Sequence, residues 1–237
     1  AIRKFQPDVI INRFDHRSPG TTHGHHTASA MLSVESFNLA SNPSFLPEQL
    51  KFVQTWQPKR QFFNTSWWFY GSMEKYNAAD KTNLIAMQTG VYYPATGKSN
   101  QEIAALSRSR HQSQGFGSTG VRGEDTEYLE LINGEALKNN KALFEGIDTT
   151  WNRVKGGKAI GELVTKIATE FNFNEPSASI PNLAKAYSMI QALDENHWAP
   201  LKSAEIKEII AACSGLYLEA IAQNQEVCNF SFMNLNN

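Results

Sequence analysis

The sequence predicts an α/β protein with a helical carboxyl-terminal segment, and three observations lead there. The run "DVIIN" (residues 8–12) is β-branched and fits a buried parallel strand. A Pro/Gly/Thr-rich loop and then a helical pattern from His26 to about Ala40 follow it, which is the strand–loop–helix order of an α/β layer. After about residue 155 strand signals thin out and three helical patterns succeed one another. Of the 237 residues 41% are hydrophobic, with 14 Phe, 7 Tyr and 5 Trp, enough to build a real core.

Pro7 introduces the first strand, and "HRSPGTTHG" (16–24) has the composition of a loop. In the helix that follows, Ala30, Leu32, Val34, Phe37 and Leu39 are the apolar positions, and "SNPSFLP" ends it. The segment "KRQFFNTSWWF" (59–69) reads as a second strand running into an aromatic loop. Trp67 and Trp68 are adjacent, so on a strand they face opposite sides and at least one would be core. A third strand, of mixed pattern, falls in "NLIAMQTGVYYP" (83–94).

Ser99 and Glu102 form a capping box that launches a helix through Ile103 and Leu106 to about His111. A Gly/Ser loop (113–123) and an edge strand, "YLELIN" (128–133), come next. The helical segments are 158–171, 180–196 and 203–225. In the last, Ile206, Ile209, Ile210, Cys213, Leu216, Tyr217, Ala220 and Ile221 recur at helical spacing as a core-facing stripe. The expected division is 1–154 for the α/β part, 155–226 for the helical extension and 227–237 for a tail or the start of a following domain.

The formal net charge of −1 gives no global field toward nucleic acid or an anionic membrane, so neither is expected as a partner. No apolar run is long enough for a membrane span, and neither a span nor a signal peptide is expected within this stretch. A chain that runs almost at once into a buried strand is expected to be a piece of something longer. Cys213 and Cys228 are too few for a metal motif and read as unpaired thiols in a helical region.

Four of the six histidines, His16, His23, His25 and His26, fall within eleven residues at the strand-to-helix junction. In open α/β sheets ligands bind at the carboxyl ends of strands, in such loops. His23 and His26 are three apart, so a helix starting near 23 places them one turn apart on a shared face. Two such imidazoles can act as joint metal ligands, or as one ligand and one proton-handling group. The positive end of the helix disfavours imidazolium and keeps a nearby histidine neutral. The alternative is a polar loop whose histidines cap the helix and bond one another. His111 can point to the same cleft or interact with the carboxyl end of its own helix, and His197 reads as a surface turn residue.

The stretch "PDVIINRFDHRSPGTTHGHHTASA" resembles the second half of the zinc-dependent de-N-acetylases of the PIG-L/LmbE family, in which a Pro-Asp-Val strand leads to a His-x-x-His motif opening a helix. "IAALSRSRHQSQGFGS" (103–118) is similar to the family's later helix, and "NTSWWFYG" to a strand and loop of its large Bacteroidetes-type branch. Together these cover about residues 3–120. The resemblance implies a Rossmann-like layered domain, with residues 1–154 as the carboxyl-terminal part of the deacetylase domain. It makes His26 a zinc ligand and His23 the residue facing the oxyanion of the tetrahedral intermediate. His25 stands where most members carry a supporting aspartate, a departure that Asp15 could offset; His16, His25 and His111 are then supporting or substrate-contacting residues.

The family's first motif, His-Pro-Asp-Asp, which supplies two zinc ligands and the base, has no counterpart here. The resemblance therefore implies an incomplete hydrolase of linear amide bonds, whose missing amino-terminal half would complete the zinc site. Its substrate would be an N-acetylglucosamine-like sugar or glycoconjugate, and a periplasmic or secreted setting fits it. A different class is a non-catalytic carbohydrate-binding or scaffolding module that uses the aromatic loop 67–71, with Trp67 and Trp68 stacking on sugar. A third reading is a self-contained metalloenzyme built from Asp15, His16, His23 and His26.

Overall fold

The computed structural model describes residues 1–138, 142–195 and 197–236. They fall into two compact units, Ala1–Ile147 and Asp148–Asn237.

The first unit is mixed α/β. One helical turn, α1 (Ile2–Phe5), precedes β1 (Val9–Asn12), and α2 (Gly24–Leu39) crosses over to β2 (Arg60–Thr65). Two short helices, α3 (Trp67–Tyr70) and α4 (Met73–Ala78), lead to β3 (Leu84–Gln88). A small ladder of β4 (Tyr92–Tyr93) and β5 (Lys98–Ser99) stands before α5 (Asn100–Arg108) and the long β6 (Thr126–Gly134). The main sheet has the order β1-β2-β6-β3. Its β1–β2 pair is parallel and the other two pairs are antiparallel. A parallel pair needs a crossover element, and α2 is that element.

One apolar cluster of the sheet gathers Phe62, Ile85 and Leu129, with Val9, Met87 and Leu131 packed around them. Against α2 the contact is partly polar. Ser33 Oγ donates to Asn12 Oδ1 (2.7 Å), Gln61 Nε2 donates to Ser33 Oγ (2.9 Å), and Asn133 Nδ2 donates to Gln61 Oε1 (2.9 Å). Gln61 is wholly buried, and these bonds offset what its desolvation costs. The chain after α2 is held by Arg3, also buried, which donates to the carbonyls of Leu39, Ala40, Asn42, Phe45 and Leu46.

Several elements differ from the sequence expectation for reasons visible in the packing. β1 is an edge strand with Ile11 exposed, because among the described residues it pairs only with β2. β6 is flanked by β2 and β3, so it is an inner strand and not an edge. Helix α2 buries Thr27, Ala30 and Phe37, while Leu32 faces outward. The third expected strand divides into β3 and β4, since the amides of Thr89 and Gly90 turn to the Asp125 carbonyl. The capping box at Ser99 forms in full, but α5 ends at Arg108, short of His111.

The second unit consists of α6 (Lys158–Thr169), α7 (Ile180–Gln191) and α8 (Trp198–Cys213). They close on Ile160, Ile167, Leu183, Ala186, Ile190, Ala199 and Ile206. Helix α8 starts earlier than its apolar stripe, because the Glu195 carboxylate accepts from the amides of His197 and Ala199. His197 thus occupies the cap position of α8, where the capping acceptor is the Glu195 carboxylate and not its own side chain. The helix also stops well before Ile221. Gly215 takes φ 63°, its amide bonds the Ala212 carbonyl, and the Leu216 amide bonds that of Ala211; this is the Schellman closure that glycine favours. Leu216, Tyr217 and Ile221 are consequently exposed, and residues 221–222 pair with 235–236 as β7 (Ile221–Ala222) and β8 (Leu235–Asn236). Cys213 and Cys228 are free thiols, the second lying outside any helix. Among the described residues no helix is long and apolar enough to cross a membrane.

Candidate functional site

The site forms where β1 and β2 end. From β1 the chain runs through Arg13 and Phe14 into the histidine loop, and from β2 it enters the single turn α3. A cavity of about 800 Å³ lies between them, lined by Arg13, Phe14, residues 20–23, His26, residues 66–69 and Glu127.

Helix α2 opens at Gly24, with His23 in extended conformation at its cap and the His23 carbonyl accepting the His26 amide at 2.9 Å. That start brings three imidazoles together. The ring centroids of His23 and His26 are 5.7 Å apart, those of His25 and His26 4.0 Å, and those of His23 and His25 5.7 Å. His26 also stacks on Phe14 at 3.9 Å. Partial desolvation lowers the His26 pKa first, and the neighbouring His25 and His23 lower it further. Both effects disfavour the imidazolium form of His26.

The aromatic segment is a helical turn rather than a loop. Ser66 caps it, and Gly71 at φ 80° ends it, a conformation that side chains resist. In a helical turn consecutive side chains stand about 100° apart rather than on opposite faces, and both Trp67 and Trp68 line the cavity. Neither is core: they are 43% and 55% exposed, with their rings edge-on at 5.7 Å. Trp68 Nε1 donates to the Thr21 carbonyl at 3.0 Å, which ties this turn to the histidine loop.

Asp15 is buried, but it does not reach the histidine cluster. Ser18 Oγ donates to one of its oxygens (2.5 Å) and Arg17 Nε to the other (2.8 Å). Burial pushes its carboxyl up, and these two donors outweigh that, holding it below the usual carboxylate range. Arg17 in turn makes a two-pronged pair with Glu130 at 2.8 and 2.7 Å. This network fixes the loop. His16 Nδ1 lies 3.7 Å from Asp15. Asp15, His16, His25 and His111 do not line the cavity, whereas His23, His26, Trp67 and Trp68 do.

A structural or catalytic zinc takes at least three protein donors. Among the described residues no group of three or more His, Cys, Asp or Glu side chains is placed to hold a metal ion. The described residues thus do not fit a complete zinc site, and the self-contained set of Asp15, His16, His23 and His26 is not assembled among them. Comparisons with protein-family models, with curated proteins and with solved structures give no match.

Sequence reasoning did not single out Arg13, Phe14, Asn64 or Glu127. The first two follow directly on the end of β1, where the loop rule for α/β sheets points. Asn64 and Glu127 come from strands whose pairing is non-local, and nothing in their own neighbourhoods marks them.

Proposed function

We propose that this chain is part of a metal-dependent N-deacetylase that hydrolyses the acetamide of an N-acetylglucosamine-like sugar. One observation carries the reading: a single cavity is lined both by His23 and His26 and by Trp67 and Trp68. An exposed indole offers an apolar face on which a sugar ring stacks, and the adjacent histidines then lie beside its substituents. In this reading His23 donates a hydrogen bond to the oxyanion that develops on the acetamide carbonyl. His26 contributes one metal donor. The remaining donors and the general base lie outside this chain, in an amino-terminal part of the same protein, and the β1–α2–β2 crossover is one unit of a Rossmann-like layer.

The exposure and tethering of Trp68 favour a second reading, a carbohydrate-binding module without catalysis. Calorimetric titration of the full chain with N-acetylglucosamine oligomers and with zinc separates the two. The deacetylase reading expects sugar binding that falls about tenfold or more in Trp68→Ala, weak zinc binding that needs both His23 and His26, and no acetate release. Sugar binding with no zinc binding assigns the chain to the second reading. Sustained acetate release by this chain alone, abolished in His26→Ala, overturns the incomplete site. Absence of sugar binding overturns both.

A further inference from the structure

We propose that Arg13 selects the charge of the ligand, its guanidinium holding an anionic carboxylate or phosphate group on the sugar that lies against Trp67 and Trp68. This rests on the reading of the cavity as a saccharide site and adds to it a substrate class, acidic or phosphorylated N-acetyl sugars.

Arg13 lines the cavity together with His23, His26 and the two indoles. Its position is set from one side only. Nη1 donates to Asn64 Oδ1 at 2.8 Å and to the Asn64 carbonyl at 3.2 Å. Asn64 Nδ2 donates onward to Glu127 Oε2 at 2.7 Å and to the Tyr128 carbonyl at 3.3 Å. The amide orientation follows from its partners, since its oxygen must face the cation and its NH2 the carboxylate. Asn64 thus bridges the two charged groups, its amide accepting from Arg13 and donating to Glu127. Among the described residues no carboxylate lies within ion-pair distance of Arg13, and Nε and Nη2 make no hydrogen bond.

The contrast with Arg17, one turn of loop away, is direct. Arg17 is engaged on Nε, Nη1 and Nη2 by Asp15 and Glu130, so its charge is already matched. Arg13 is anchored at one nitrogen and keeps its other edge open. An arginine fork held in this way suits the two oxygens of a carboxylate or phosphate, and it does so with less loss of freedom than a lysine. The other ionisable groups lining the cavity are His23, His26 and Glu127. One oxygen of Glu127 is already engaged by Asn64, and the Glu127 carboxylate is set apart from Arg13 by the Asn64 side chain. Glu127 lines the same cavity, so the anion is expected on the edge of Arg13 that faces away from Asn64 and Glu127.

The test is fluorescence titration of the full chain with three probes: N-acetylglucosamine, N-acetylglucosamine 6-phosphate and N-acetylmuramic acid. At least one acidic sugar is expected to bind about tenfold more tightly than the neutral one, the scale of a charge-assisted hydrogen bond. Whichever acidic probe gains more identifies phosphate or carboxylate as the source. In Arg13→Gln the advantage of the acidic sugar over the neutral one disappears, and Arg13→Lys restores part of it. Circular dichroism and tryptophan emission check that each variant keeps the fold. Equal binding of all three sugars by the unaltered chain, or an advantage that survives Arg13→Gln, overturns the role of Arg13 and leaves the saccharide site standing. If none of the three binds, both the site and the Arg13 assignment fall.

Discussion

Arg3 shows how much a single side chain organises here. It is 5% exposed and makes no ion pair among the described residues; its partners are backbone carbonyls and the Gln49 amide oxygen. The carbonyls cluster where α2 ends, at the negative end of its dipole, so the guanidinium meets a field that suits it without a carboxylate. Removing it strands one buried acceptor, the Ala40 carbonyl, and several part-buried ones at once. Arg3→Met is expected to lower stability by about 3 kcal/mol, read by urea denaturation, and a loss below about 1 kcal/mol would mean that water replaces the guanidinium. Nothing in "AIRKF" announces this role, because the acceptors come from residues 39–46 and their convergence is a property of the folded loop. The histidines, by contrast, were legible. Their density at a strand-to-helix junction points to a site through local geometry alone, and the structure places three of their rings side by side. What the sequence could not reveal is that Asp15 turns away from them to serve Ser18 and Arg17.

At the scale of elements, α5 offers a pH-dependent start. The Glu102 carboxylate accepts from Arg122 Nε and from the Ser99 amide, both at 2.8 Å, and these contacts lower its pKa from the ordinary 4.5 to about 2. A depressed carboxyl pKa means that the unfolded chain binds the proton more readily. The contribution is therefore complete above about pH 4.5 and is lost as pH falls toward 2. The Ser99 and Glu102 amide resonances should shift together across that window and stay flat in Glu102→Gln; movement centred above pH 4.5 would contradict the assignment. This capping box was readable in advance because both bonds lie within four residues. Strand roles were less readable. "YLELIN" carries the alternation of a half-covered strand, yet β6 becomes an inner strand because β2 and β3 both find it from distant parts of the chain. The aromatic segment misled for a different reason: Ser66 and Gly71 bracket one helical turn too short to show a period. The end of α8 was legible in principle, since Ser-Gly after a helical run is a stop signal that the longer apolar stripe overrode.

The whole chain divides into units with different folding demands. In the first, the sheet joins segments far apart in sequence; in the second, α6, α7 and α8 follow one another and share one core. Local contacts of that kind assemble without long loop closure. A fragment of residues 148–215 is expected to fold alone, giving a helical circular dichroism spectrum with a cooperative thermal transition, whereas a gradual, non-cooperative melt would show that it needs the rest of the chain. The mixed α/β class and the helical tail were evident from patterning, since hydrophobic period reports element type. The cavity was not, because its walls come from the ends of β1, β2 and β6. The crossover that joins β1 to β2 carries one last implication, for biosynthesis. The cavity beside His23 and His26 gains its aromatic lining only when residues 66–69 have emerged from the ribosome, so a nascent chain halted before that point displays those imidazoles without the pocket that disciplines them.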